Sequence, residues 1–314
     1  MLSRIADSLY WMNRYMERAD GILRMVYVQY ILGMDKDING MTPTWKPVLQ
    51  LFTTIPEKEM TFLETNTEES LKKLLVENGN ENSFKMIINK ARENARGVQD
   101  HITKEVWEEI NQMYHEVNNA SILYKLDTYQ AMDVMKALTN HTVLYAGTID
   151  ITMPRGNGWY FMSLGRYVER CLQTIVLTEK QLERMDFAEN DTNDLLEWRQ
   201  LLLSLSGYEL HLKTYRSTNY NYNALHQVMI NENFPRSIVY SFKRIDHYLE
   251  RITNNHKNEG TASLMRSFGR LYSKVRYMDI GLLNRQTVQE FLKEIKADLF
   301  SFNKQLEQHF FSHS

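Results

Sequence analysis

The chain has 314 residues, of which 43% are hydrophobic and 24% charged, and its formal net charge is −2. This length and composition are typical of a globular protein with one large domain or two medium ones. The near-neutral charge provides no basic footprint for nucleic acid, and the single cysteine excludes an intramolecular disulfide. We therefore expect no nucleic-acid partner, and the cysteine usage fits a reducing compartment.

The N-terminal stretch does not resemble a targeting segment. It reads MLSRIADSLYWMNRYMERAD, with charges already at Arg4 and Asp7 and no uninterrupted apolar run of the kind found in signal peptides. No stretch of the chain approaches the roughly 18 apolar residues that a membrane-spanning helix needs. The sequence therefore predicts a cytoplasmic protein without a membrane partner.

Helical periodicity dominates the first half of the chain. In residues 3–32 apolar side chains recur at three- and four-residue steps, with Ser3 as a plausible N-cap and Gly33 as the terminator. Region 34–67 carries three prolines and is irregular, apart from a short helix predicted in WKPVLQLF. Further helices are predicted in TEESLKKLLVENGN, in NSFKMIINKARENARGVQDHI with Asn82 or Ser83 as cap, in TKEVWEEINQMYHEV, and over 127–151.

The second half repeats this helical character after a break. Pro154 and two glycines interrupt the pattern in TMPRGNGW. Helices are then predicted over about 159–187, in one or two parts of DTNDLLEWRQLLLSLSGYELHLKTY, from Pro235 through NFPRSIVYSFKRIDHYLERI, and over 262–280 and 287–312. Because strand signals are almost absent, the sequence predicts an all-α fold, a bundle of roughly ten helices.

A short arginine and glutamate motif recurs along the chain. It comprises Arg14, Glu17 and Arg18 in LYWMNRYMERADGILRMV, and Arg166, Glu169 and Arg170 in YFMSLGRYVERCLQTIVL. A weaker third copy, IVYSFKRIDHYLERITNN, keeps Glu250 and Arg251, with His247 in place of the first arginine. This self-similarity predicts an internal pseudo-repeat inside a single domain, 1–314, whose candidate pseudo-symmetric halves are 1–153 and 154–314.

The motif allows three interpretations. On a helix, Arg14 and Glu17 share one face, whereas Arg18 is free to point elsewhere. The residues could form exposed pairs within each helix, which would contribute little stability. They could instead form a partly buried network in which the arginines of one copy reach the glutamate of the other. The third interpretation is a binding site in which the arginines hold a carboxylate or phosphate group.

A second arginine pair lies in ARENARGVQD. Arg92 and Arg96 are four residues apart on one helical face, and Glu93 lies between them. Such a pair suits an acidic partner or ligand, and it suits a salt-bridged surface equally well.

No catalytic constellation accompanies these motifs. No histidine follows an acidic residue by three positions, which argues against the standard di-iron bundle site. The scattered histidines form no convincing triad, and Cys171 lies in an apolar helix, where a core role is expected. The loop PRGNG follows a helix and lacks Gly-Lys-Ser/Thr, so it is interpreted as a connector rather than a P-loop. We expect no catalytic residue, no metal and no cofactor.

Four blocks of sequence together resemble the bacterial alpha-E domain family, an all-helical family with a glutamate–arginine motif. They are MLSRIADSLYWMNRYMERAD, ARENARGVQDHITKEVWEEIN, GWYFMSLGRYVERCLQT and NFPRSIVYSF, and the resemblance extends over essentially the whole chain. Cys171 is a mild departure, since a small residue such as Ala19 is expected there. The residues typical of the family are Arg14, Glu17, Arg18, Arg92, Glu93, Arg96, Trp107, Trp159, Arg166, Glu169, Arg170, Pro235 and Arg236.

The resemblance implies a function in a system that forms or processes peptide-like amide bonds. Relatives are encoded beside, or fused to, circularly permuted ATP-grasp ligases and transglutaminase-like proteins. We therefore expect a non-catalytic accessory protein that binds an ATP-grasp-type ligase or a transglutaminase-like protein through its arginine-bearing faces. The alternative is a transferase or ligase that uses Glu17 or Glu169 as a base, although neighbouring arginines make a carboxylate a poor base.

Overall fold

The computed structural model describes residues 2–34, 44–127, 129–187, 192–216, 219–254, 258–282 and 284–311. Within these ranges the chain forms helices and no β-strand, which confirms the predicted all-α class. The first eight α-helices are α1 (Ser3–Met34), α2 (Lys46–Phe52), α3 (Glu57–Leu63), α4 (Thr67–Leu75), α5 (Phe84–Arg96), α6 (Lys104–Val117), α7 (Ser121–Leu126) and α8 (Ala131–Thr152). The others are α9 (Asn157–Leu182), α10 (Thr192–Ser204), α11 (Tyr208–Thr214), α12 (Tyr220–Met229), α13 (Ile238–Thr253), α14 (Glu259–Arg276) and α15 (Arg285–Phe310), and 3₁₀ turns cover Gln99–His101 and Ile280–Leu282.

The described residues thus contain fifteen α-helices, where roughly ten were predicted. The additional helices are short: α3 follows Pro56 in the region expected to be irregular, α7 is separate from α8, and α12 lies in the tyrosine-rich segment. Helices of six to ten residues span too few turns to produce a recognisable apolar period. The start of α13 also differs, because Ser237 rather than Pro235 begins the helix as its N-cap.

The chain divides into two compact units. One consists of Met1–Tyr10 together with Arg155–Ser314, and the other of Trp11–Pro154. The long helix α1 therefore contributes its first turns to one unit and the remainder to the other.

The unit Trp11–Pro154 is built around α6. This helix packs against α5 on one side and α8 on another. Its buried apolar side chains recur every three or four residues, at Val106, Ile110, Met113 and Val117. Polar contacts tie α8 to α1, since the Tyr145 hydroxyl donates to Asn13 Oδ1 over 2.7 Å.

The other unit is organised around α9. This helix packs along α13, α13 packs against α14, and α15 contacts both α14 and α9. Phe242, Phe268 and Phe302 bring α13, α14 and α15 together, with ring centroids 5.6 and 4.9 Å apart along the series. The Tyr10 hydroxyl of α1 donates to Asn303 of α15, which fixes the first turns of α1 in this unit.

None of the helices in the described ranges is long and apolar enough to cross a membrane.

Serine caps begin α5 and α13, and we predict that removing either is costly. Ser83 Oγ accepts from Met86 N (3.3 Å) and Ser237 Oγ accepts from Tyr240 N (3.1 Å), while both hydroxyls also donate to a backbone carbonyl. Both serines are fully buried. Since alanine removes both the cap and the hydrogen bond that each buried hydroxyl donates, Ser83→Ala and Ser237→Ala should each lower the free energy of unfolding by about 2 kcal/mol, measured by urea denaturation. A loss below about 0.5 kcal/mol at either site would contradict the geometry.

Two histidines in the α11–α12 region predict a loss of stability at mildly acidic pH. Burial lowers the pKa of His211 from its ordinary value of 6.5, against a weaker opposing effect of its hydrogen bond with Gln227, and burial also lowers the pKa of His226. The folded protein therefore keeps both rings neutral, whereas the unfolded chain binds protons below about pH 6.5. The contribution of the two neutral rings to the free energy of unfolding should therefore be fully present above about pH 6.5, and it should be lost progressively as the pH falls below that value. The double variant His211→Gln/His226→Gln should show a shallower fall in urea titrations between about pH 7 and pH 5.

Candidate functional site

The first copy of the glutamate–arginine motif lies in the middle of α1. Glu17 is 7% exposed and Arg14 is 4% exposed, so neither is a surface residue. The Arg14 guanidinium lies 4.4 Å from the centre of the Trp11 ring. Arg18 is half-buried, with its guanidinium 5.7 Å from the Tyr15 ring. The motif thus buries its acid and lays its second arginine along a tyrosine of the same helix.

The second copy, on α9, has the same local arrangement. Glu169 is 4% exposed, and Arg170 is half-buried with its guanidinium 5.2 Å from the Tyr167 ring. Cys171 is completely buried, and burial raises the pKa of its thiol well above the ordinary value. A thiol that stays protonated is a poor nucleophile, so Cys171 packs as a small apolar residue.

Burial of Glu17 and Glu169 separates them from ordinary surface ion pairs. The exchange of ion pairs between the two copies stays a prediction, as does the anion-binding interpretation.

The third copy differs from the other two. His247, Glu250 and Arg251 are all exposed on α13, whereas Tyr248 and Leu249 between them are buried. The sequence similarity at this copy therefore does not extend to the burial of its glutamate.

The arginine pair of α5 has two different environments. Arg92 Nε donates to Asn111 Oδ1 over 2.7 Å, and its guanidinium lies 4.3 Å from the Tyr114 ring. Glu93 lies 3.6 Å from Arg92 and 3.7 Å from Arg96, but Glu93 and Arg96 are exposed. Water screens the attraction between exposed charges, so the contact of Glu93 with Arg96 belongs to a solvated surface. Arg92, in contrast, is anchored on α6 by Asn111 and Tyr114.

A row of tyrosines lies where α9 packs along α13, and sequence reasoning did not find it. Tyr160, Tyr248, Tyr167 and Tyr240 alternate between the two helices, with successive ring centroids 6.3, 6.0 and 6.2 Å apart. We call these four residues the tyrosine ladder. Tyr167 and Tyr248 are nearly parallel, with an interplanar angle of 19°. On α13 the only signal in the sequence is the four-residue spacing of Tyr240, Arg244 and Tyr248.

Arginines flank the tyrosine ladder. Arg244 Nη2 donates to the Tyr240 hydroxyl over 3.3 Å, and its guanidinium lies 5.4 Å from the Tyr240 ring and 5.9 Å from the Tyr167 ring. Burial raises the pKa of the Tyr167 hydroxyl, and the charges of Arg170 and Arg166 partly offset that effect. The ladder is therefore a partly buried row of aromatic rings with arginines beside it.

A second polar cluster, also missed from the sequence, joins α6 and α8. His141 Nδ1 lies 2.6 Å from Glu109 Oε1, and its Nε2 lies 2.8 Å from Glu116 Oε2. Glu109 occupies the apolar face of α6, and a charge at such a position is the signal that could have indicated a buried partner. In the described ranges, no group of three or more His, Cys, Asp and Glu side chains is arranged to hold a metal ion.

Comparison with protein families gives a match over nearly the whole chain. The matching family is described as a predicted alpha-helical domain with a conserved ER motif, and it covers residues 1–311. Comparison with curated proteins and with solved structures gives no significant match.

Proposed function

Because the chain belongs to the Alpha-E family, whose match covers residues 1–311, we propose that it is a non-catalytic helical interaction protein. Its partner is a circularly permuted ATP-grasp-type ligase or a transglutaminase-like protein. The two proteins would work together in a cytoplasmic system that forms or processes peptide-like amide bonds. The family resemblance supports this partner class, and the arginine-bearing helix faces supply the binding surface.

One observation carries the preference for binding over catalysis. Glu17 and Glu169 are 7% and 4% exposed, whereas the arginines that follow them, Arg18 and Arg170, are half-buried and lie along tyrosines. A general base must come within hydrogen-bond reach of the proton that it removes. A carboxylate with almost no accessible surface meets that need poorly, so the alternative of a transferase or ligase using these glutamates is disfavoured. Arginine and tyrosine, in contrast, are the residues that protein interfaces favour.

We further propose that the two halves of the single domain, near 1–153 and 154–314, are copies of one helical unit. Each begins with a long motif helix, α1 or α9, continues through five helices of at most 18 residues, and ends with a long helix, α8 or α15; the short α7 is an addition in the first half. Most aligned motif positions share their burial, although Arg14 is buried and Arg166 half-buried. Met16 and Val168, Glu17 and Glu169, and Ala19 and Cys171 are buried, while Tyr15 and Tyr167, and Arg18 and Arg170, are half-buried.

A repeated connection supports this proposal. Asn-Glu-Asn occurs at residues 80–82 before α5 and at 231–233 before α13. The first asparagine of each triplet accepts from the backbone N–H of the third, over 3.1 and 2.8 Å. Each central glutamate pairs with a lysine of the helix that follows, Glu81 with Lys90 at 2.6 Å and Glu232 with Lys243 at 2.7 Å. Two kinds of interaction, each present in both connections, favour duplication over coincidence.

Affinity purification from the native cells tests the proposed function. The tagged full-length chain is expected to recover an ATP-grasp-type ligase or a transglutaminase-like protein in near-stoichiometric amount. The variant Arg18→Gln/Arg170→Gln should recover markedly less, while Arg270→Gln, an exposed arginine of α14, serves as the matched control. Melting curves establish that both variants are folded. Recovery of neither partner class by the native chain would contradict the proposal.

A further inference from the structure

We propose that the tyrosine ladder and the arginines beside it form a docking groove for an acidic peptide segment of the partner protein. This inference rests on the proposed function, since it assigns one surface and one ligand chemistry to the interaction. The proposed groove follows the seam along which α9 packs against α13, where Tyr160, Tyr167 and Tyr240 are half-buried and Tyr248 is buried. Tyr160 and Tyr248 lie toward one end, and the Thr174 hydroxyl bonds to the Arg236 carbonyl over 2.8 Å toward the other.

Two arginines, one on each helix, border the tyrosine ladder. Arg166 and Arg244 are half-buried, and in the part of the chain that the structure describes neither forms an ion pair with a carboxylate. The groups that act electrostatically on Arg244 are the hydroxyls of Tyr240, Tyr167 and Tyr248. The charged and polar groups that act electrostatically on the Tyr167 hydroxyl are two arginines, Arg166 and Arg170, and two tyrosines, Tyr240 and Tyr248. Partly desolvated guanidinium groups that form no ion pair within the described residues are complementary to carboxylates carried by a ligand.

The arrangement favours a peptide over a phosphate compound. Arg166 and Arg170 are one turn apart on α9, and Arg244 lies across the groove on α13, so the cations are distributed rather than gathered around one point. All three lie inside long helices, where backbone N–H groups are already bonded within the helix and cannot cradle a phosphate. The half-buried rings of Tyr160, Tyr167 and Tyr240, in contrast, offer an extended peptide rigid contact area and lose little conformational entropy on binding.

Fluorescence anisotropy with the full-length chain tests the groove. The probe is a labelled octapeptide of alternating glutamate and tyrosine, and the matched probe has glutamine in place of glutamate. We expect the acidic peptide to bind about tenfold more tightly than the neutral one, and Arg244→Gln and Arg166→Gln each to weaken binding about tenfold. Arg166→Gln removes no ion pair or hydrogen bond within the described residues, so it reports on binding even if Arg244→Gln affects folding. Arg270→Gln is the control, expected to bind like the native chain.

Three results would overturn the groove. The first is equal affinity for the acidic and the neutral peptide, and the second is an unchanged affinity for the acidic peptide in both arginine variants. The third is displacement of the acidic peptide by inorganic phosphate or ATP at a lower concentration than by unlabelled peptide. The purification experiment separates the two proposals. If the native chain and Arg244→Gln capture the partner enzyme equally, the proposed function stands and the groove fails. If the acidic peptide binds as expected but no partner enzyme is captured, the groove stands and the partner assignment fails.

Discussion

Alanine at position 165 is expected to destabilise the unit formed by Met1–Tyr10 and Arg155–Ser314 severely. A Cβ atom on Gly165 would lie 2.3 Å from the carbonyl oxygen of Tyr10 and 3.1 Å from its carbonyl carbon, and real Cβ contacts essentially never fall below 3.0 Å. Both atoms are backbone, so no side-chain rotation relieves the clash and α1 must move away from α9. The expected loss in the free energy of unfolding is about 3 kcal/mol or more, measured by urea denaturation.

Gly269 provides the matched control for this substitution. It lies within α14, and a Cβ there would meet no atom within 4 Å. Gly269→Ala should therefore increase the free energy of unfolding by about 0.5–1 kcal/mol, because alanine favours the helix and loses less entropy on folding. A variant Gly165→Ala that unfolds at the same urea concentration as the native chain would show that α1 and α9 do not approach this closely.

Periodicity made the longer helices predictable. In α5, the buried residues Phe84, Ile87, Ile88, Ala91 and Ala95 follow the three- and four-residue steps of the sequence, and Ser83 caps the helix as one of the two predicted candidates. Such features are local, since the cap and the apolar face both depend on neighbours within a few turns.

Gly165 shows why other features could not be predicted. In the sequence it is one glycine inside a helical pattern, and only the close approach of Tyr10 explains why a side chain is excluded there. The tyrosine ladder has the same origin. Its members are spaced by turns on each helix, but their alternation depends on the pairing of α9 with α13. The pairing of helices that are distant in the sequence is a property of the packed fold. A single sequence carries little signal for such pairing, because it does not show which positions vary together.

Replacing His141 by leucine is expected to cause the second large loss of stability. Both ring nitrogens contact carboxylate oxygens, Glu109 on one side and Glu116 on the other. Glu109 is 6% exposed and lies on the buried face of α6, so without the histidine its charge has little access to water. Stranding a buried charge is far more costly than losing an exposed pair, and we expect a loss of about 3 kcal/mol in urea denaturation.

An exposed ion pair of the same helix is the control. Lys104 and Glu108 approach to 3.3 Å, but their side chains are 82% and 60% exposed. Lys104→Ala should change the free energy of unfolding by less than about 0.5 kcal/mol, because water already screens that pair.

The double variant Glu109→Leu/His141→Leu distinguishes the cause of the loss. If the cost of His141→Leu arises from the unpaired carboxylate, removing that carboxylate as well should recover most of the stability, because apolar residues can replace a buried ion pair with little penalty. Glu116, at 37% side-chain exposure, remains hydrated without its partner. Losses that simply add in the double variant would mean that the two side chains do not depend on each other, and the cluster would then be packing rather than a coupled polar pair.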